Sequence, residues 1–207
     1  MKKYFLEGIG TFILVLILVL VSQNGANNIA PWVYGAALAA FIFAAGAVSA
    51  VHLNPALSLA HLITGKIERW DAPYALLAQL AGGVLAAMIA SFLIRCQASG
   101  EVAMRQFDPL CALFAEALGT FFLSLIFLLA DQSKDTTRLG LAAGFTVMAC
   151  AAAFQHLCGA TFNPVIAAGM AISGLLTWTD TWICLTGTFL GAAAGASVFR
   201  AIFEVRI

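Results

Sequence analysis

Charged residues divide this chain into long apolar stretches. No Asp, Glu, Lys or Arg occurs between Glu7 and Lys66, between Asp71 and Arg95, or between Arg138 and Asp180. A helix that crosses a bilayer needs about 20 predominantly apolar residues. The runs accommodate six such helices, near 5–22, 31–50, 72–94, 110–130, 139–158 and 180–200. Nothing is left over for a soluble domain, so the pattern predicts an all-α membrane protein. Glu7 interrupts the first run and no small-residue cleavage site follows it, so this segment reads as a span and not as a cleaved signal.

Two apolar segments are too short to cross. One begins at Asn54-Pro55 and ends near Gly65, and the other begins at Asn163-Pro164 and ends near Gly174. Asn is a favoured helix N-cap and Pro suits the first helical position, so each pair should start a short helix that enters the membrane and returns. The irregular backbone before such a helix cannot face lipid. At membrane depth it is tolerated only when buried in protein or lining a watery cavity, so two such segments argue for a lumen.

One constant offset superposes Glu7, Gly10, Thr11 and Phe12 on Glu116, Gly119, Thr120 and Phe121. The same offset carries Gly35 to Gly144, Gly82 to Gly191 and Asn54-Pro55 to Asn163-Pro164. Polar and glycine positions match, not only leucines, which marks a duplication with repeats at 1–108 and 109–207. Three spans per half is an odd number, so the second copy is expected upside down relative to the first. The two short helices then aim their N-termini at each other, and two helix ends of about +0.5 charge meet near the midplane. Cations and hydronium are repelled there, while the amides of Asn54 and Asn163 offer donors to a permeating oxygen.

Composition agrees: 62% of the residues are hydrophobic and 10% charged, against about 25% charged in a soluble domain. With the N-terminus inside, Lys2, Lys3, Lys66, Arg69, Lys134, Arg138, Arg200 and Arg206 fall on the inner side. Arg95 and Arg105 alone fall outside. The positive-inside bias therefore places both termini in the cytoplasm, and the short termini suit a bacterial cytoplasmic membrane. The zero net charge and lack of basic runs argue against a nucleic-acid partner. The five cysteines lack Cys-x-x-Cys spacing, so no metal site or cofactor is expected, and a Cys96–Cys111 disulfide stays open.

Together the two Asn-Pro boxes, the repeated Glu-x-x-Gly-Thr-Phe and His52 two residues before Asn54 resemble the aquaporin and aquaglyceroporin family, the major intrinsic proteins. The resemblance covers essentially the whole chain. It implies six transmembrane helices plus two re-entrant half-helices, one pore per protomer, and homotetramers in the lipid bilayer. It implies that Asn54, Pro55, Ala56, Asn163, Pro164 and Val165 form the pore boxes, with Val165 where alanine is usual. By the family's spacing, the outer constriction falls on Tyr34, Ala151, Ala160 and Ile166. Water-selective members place an aromatic, a histidine, a small residue and an arginine there, so this ring is largely apolar, with the Tyr34 hydroxyl retained.

Strict water selectivity is therefore not expected. One reading is a wider filter passing water and small uncharged solutes such as glycerol, urea or metalloid hydroxides. The other is a dewetting constriction closed by Ile166 and Tyr34. The resemblance also implies that Glu7 and Glu116 accept hydrogen bonds from the backbone before each half-helix. His52 is expected on the inner vestibule wall, with packing as its alternative role, and His61 near the end of the first half-helix is unusual. The nearest rival function is a secondary transporter, which also uses inverted repeats but needs ionisable groups at its substrate site. An enzyme is not expected, because no Asp lies within the confident spans and no nucleophile-base pair or His-rich motif stands at depth.

Overall fold

The computed structural model describes residues 1–23, 28–46, 48, 51–96 and 107–203. Arg105 and Arg206, which enter the charge comparison, lie outside the described residues. Among those described the chain forms eight helices: α1 (Lys2–Gln23), α2 (Ala30–Ala45), α3 (Pro55–Ile63), α4 (Asp71–Cys96), α5 (Pro109–Asp131), α6 (Thr136–Phe154), α7 (Pro164–Ile172) and α8 (Trp178–Phe203). By length and composition α1, α4, α5, α6 and α8 can each cross a membrane, and α2 is a shorter apolar helix.

Helix ends follow local chemistry. Asp108 caps α5 by accepting the Cys111 N–H, and Asp135 caps α6 by accepting those of Thr137 and Arg138. The second cap starts α6 at Thr136, ahead of the apolar run. Further on, α2 stops at Ala45 and α6 at Phe154, although the apolar runs reach 50 and 158. Buried loops in a membrane protein are as apolar as its helices, so hydropathy alone overshoots these ends. Cys96 and Cys111 are both free thiols and exposed.

The nine-residue helices α3 and α7 are closed at both ends. Asn54 and Asn163 cap their N-termini, each side-chain oxygen accepting the N–H two residues on, from Ala56 at 2.8 Å and Val165 at 3.0 Å. At the other end Gly65 (φ 72°) and Gly174 (φ 77°) take the left-handed conformation that glycine adopts without penalty. The Lys66 N–H then reaches back to the His61 carbonyl, and the Leu175 N–H to that of Met170, which completes a Schellman stop. At a rise of about 1.5 Å per residue, helices this short do not cross a bilayer.

Packing pairs α1 with α4, α5 with α8 and α2 with α6, while α3 lies against α8 and α7 against α4. In lipid such association rests on close backbone approach. A β-carbon on Gly82 would collide with the Gly8 carbonyl, and one on Gly191 with that of Ala117. Gly35 and Gly144 face each other across α2 and α6 in the same way, a β-carbon on either lying 2.5 to 2.6 Å from the other's carbonyl oxygen. At one end of the bundle Asp71 binds Lys3 and Tyr4, and Asp131 binds Lys66.

Candidate functional site

The two loops that precede α3 and α7 are held by buried carboxylates. Glu7 on α1 accepts the backbone N–H groups of His52 and Leu53, both at 2.8 Å, and Glu116 on α5 accepts those of Thr161 and Phe162, both at 2.9 Å. These bonds hold Leu53 (φ 54°) and Phe162 (φ 44°) in the left-handed region, where a side chain costs about 1–2 kcal/mol. The remaining carboxylate capacity differs. Glu7 takes the Gln79 amide at 2.8 Å, whereas Glu116 takes the Thr161 hydroxyl at 3.1 Å.

The glycine of each Glu-x-x-Gly motif has its own task. A β-carbon on Gly10 would strike the Leu53 side chain, and one on Gly119 the Phe162 ring. Glutamate thus holds the loop backbone while the glycine one turn on admits the side chain that precedes Asn. Thr11 donates its hydroxyl to the Glu7 carbonyl at 2.7 Å.

The two loops are tied to each other through the asparagines. Asn54 Nδ2 donates to the Phe162 carbonyl and Asn163 Nδ2 to the Leu53 carbonyl, both at 2.8 Å. The N-termini of α3 and α7 therefore meet. A side-chain amide has two N–H donors, so each asparagine uses one on the opposite loop and keeps a second.

Val165, the departure from alanine in the second box, is matched by another departure. Its Cγ1 fills the space a β-carbon on Gly83 would take. In the other half Ala56 packs in a cluster with Ala192, which is the repeat equivalent of Gly83. One side carries Val against Gly, and the equivalent positions of the other carry two alanines.

Tyr34, Ala151 and Ile166 are buried in one apolar cluster, with Ala160 packed against it. The Tyr34 hydroxyl, which the sequence leaves for the filter, donates to the Thr161 carbonyl at 2.8 Å. Ile166 is fully buried, at 0% exposure. This group therefore presents no free side-chain donor.

His52 is also buried, its Nδ1 3.2 Å from the Ser58 hydroxyl, which in turn accepts from Gln79 at 3.1 Å. Its ring lies 4.2 Å from that of His61, and Phe127 stands edge-on to both. His52 borders a cavity of 330 Å³ shared with Lys3, Glu7, Lys66, Glu68 and Asp71. No group of three or more metal-binding side chains occurs among the described residues. Sequence reasoning does not single out Gln79, Ser58 or Gly83 as site residues. Gln79 carries a signal nonetheless, as the sole amide side chain in the charge-free stretch from 72 to 94.

Residues 1–199 match the family described as Major intrinsic protein. Aquaporin NIP1-4 of Oryza sativa subsp. japonica is 33% identical over 181 residues, and the match spans 82% of this chain but 63% of the rice protein's length. Glycerol uptake facilitator protein-like 6 of Lactiplantibacillus plantarum is 29% identical over 210 residues, 97% of each chain. The X-ray structure of the aquaglyceroporin from Plasmodium falciparum superposes with a TM-score of 0.81 at 19% identity, covering 98% of this chain and 96% of that one. At that identity the likeness establishes a common fold.

Proposed function

Since the chain belongs to the major intrinsic protein family, whose members are membrane channels and not enzymes, we propose that the meeting point of α3 and α7 is the centre of its pore. The protein is a multi-pass membrane protein and a passive channel for water and glycerol-type solutes. The reciprocal asparagine bonds carry the assignment of the pore centre, because they bring two electropositive helix N-termini to one place. A cation entering there meets partial positive charge from both sides. A neutral solute meets the second N–H of Asn54 and of Asn163, which orients its oxygen and interrupts a continuous proton wire.

The proposal extends to the architecture. Residues 1–108 and 109–207 are read as inverted repeats, each supplying three spans and one re-entrant half-helix. Pro55, Ala56, Pro164 and Val165 complete the two boxes. Tyr34, Ala151, Ala160 and Ile166 form the outer constriction, Glu7 and Glu116 support the loops, and His52 faces the inner vestibule. Both termini lie in the cytoplasm, the membrane is the cytoplasmic one, and four copies assemble, each with its own pore.

With no free donor at the outer ring, selection by hydrogen bonding to water is weak there. Water and small uncharged solutes, with glycerol first among them and urea and metalloid hydroxides of the same kind, are the permeants the reading favours. The complete burial of Ile166 favours a second reading, in which this ring is a dewetting constriction that is closed in this conformation.

Proteoliposome swelling under water, glycerol and urea gradients, with imposed proton and potassium gradients as controls, tests the assignment. Expected is downhill flux without saturation and without ion dependence. Saturable uptake driven by an ion gradient would replace the channel by a coupled transporter.

A further inference from the structure

The duplicated scaffold carries chemistry that is not duplicated. The first half places His52, Ser58, His61 and Gln79 along α3, all buried. The equivalent positions of the second half hold Thr161, Ala167, Met170 and Thr188. Helix capping and loop support are met in both halves by the asparagines and glutamates, with Gln79 adding its amide to Glu7, so neither histidine ring is needed for that task.

Its hydrogen bonding is incomplete in an informative way. His61 Nδ1 lies 2.9 Å from the Leu57 carbonyl. A carbonyl only accepts, so that nitrogen carries the proton, and in the neutral ring Nε2 is an acceptor. Across from Nε2, at 3.8 Å, stands the Asp131 carboxylate, another acceptor. The Lys66 ammonium binds the same carboxylate, so a neutral His61 is sufficient opposite it. His52 Nε2, on the adjoining ring, has no partner among the described residues either. With His61 neutral, Nε2 and the carboxylate face each other as two acceptors that a shared hydroxyl donor would satisfy, and a buried acceptor left alone carries a desolvation cost. Lys66, bonded to Asp131, borders the 330 Å³ cavity together with His52.

We propose that His61 and Asp131, with His52 beside them, form a solute-binding station on the inner side of the channel. The station takes neutral molecules that carry two or more hydroxyl donors. This rests on the channel function and assigns its selectivity. The hydrogen bonding that discriminates polyols from water sits at this station, whereas the outer ring, with its Tyr34 hydroxyl engaged by Thr161, sieves by size and apolarity. A polyol bridges Nε2 and the carboxylate with two of its hydroxyls and so replaces two of the water contacts it sheds on entry.

The test compares glycerol and water permeabilities of proteoliposomes holding the wild-type chain, His61→Met and Asp131→Asn. Methionine is what the second half carries at the equivalent position, so His61→Met places a side chain the scaffold already accommodates. In Asp131→Asn the new amide N–H donates directly to His61 Nε2 and closes the bridge. The glycerol-to-water ratio should fall about five-fold in each, the scale of one hydrogen bond lost in transit. A wild-type ratio in a folded, water-conducting His61→Met overturns the station, including the case in which water alone bridges the pair. Titrating the ¹⁵N-histidine-labelled wild-type protein with glycerol gives an independent readout, with a shift of the His61 Nε2 resonance expected. If wild-type liposomes pass no glycerol, the channel reading fails for that solute. The station then stands or falls on that nitrogen shift.

Discussion

Val165 fills the space that a β-carbon on Gly83 would need, so the half-helix α7 reaches α4 only because residue 83 has no side chain. The pair places all of the bulk on one of the two helices, whereas the equivalent positions of the other half, Ala56 and Ala192, carry one methyl each in a common cluster. Gly83→Ala should therefore overpack this contact and lower stability by about 1–3 kcal/mol. Adding Val165→Ala should recover most of that loss. Thermal unfolding of the two single variants and the double variant in detergent measures the coupling, and strictly additive losses would refute the shared volume.

Glu7 and Glu116 each receive two loop N–H groups on two oxygens. Glutamine keeps one oxygen and turns an NH₂ toward the other donor. Glu7→Gln and Glu116→Gln should each cost about 1–3 kcal/mol, read as a lowered melting temperature, with solute selectivity retained in the molecules that stay folded. Equal stability of wild type and both variants would remove the carboxylates from the loop-holding role.

The Tyr34 hydroxyl is engaged by the Thr161 carbonyl and is not available to a solute. Tyr34→Phe should lower stability by about 1 kcal/mol and leave the ratio of glycerol to water permeability near wild type. A clear change in that ratio without loss of stability would show that the hydroxyl contacts the permeant.

The proposed outer constriction can be probed at Ile166. Ile166→Arg adds donors and a fixed charge, so stopped-flow assays should show glycerol and urea permeability falling relative to water. Unchanged solute preference in a folded variant would show that Ile166 does not line the constriction. Failure of the variant to fold would place the residue in the packed core.

The features legible in sequence are those with a local cause. An Asn-Pro pair announces a capped helix start within a few positions, and both short helices begin where the pairs stand. Glu7 and Glu116 are legible through their common offset. Less is visible where the cause lies far along the chain. The bonds from Tyr34 to Thr161 and from Gln79 to Glu7 join residues 127 and 72 positions apart. No periodicity encodes them. The glycine next to Gly82 reads as part of a helix crossing, and only the position of Val165 shows that Gly83 serves the second box instead. His61 is conspicuous as a histidine in an apolar helix, but its relation to Asp131 requires α5 to be laid beside α3.

The crossed asparagine bonds also bear on biogenesis. Leu53 and Asn54 leave the ribosome long before Phe162 and Asn163, their partners. Until then the early loop's carbonyl and amide must be satisfied by water or by the insertion machinery, so the first half cannot lock on its own. The latch takes one bond from each loop, so neither bond can form before the chain has been made as far as Asn163.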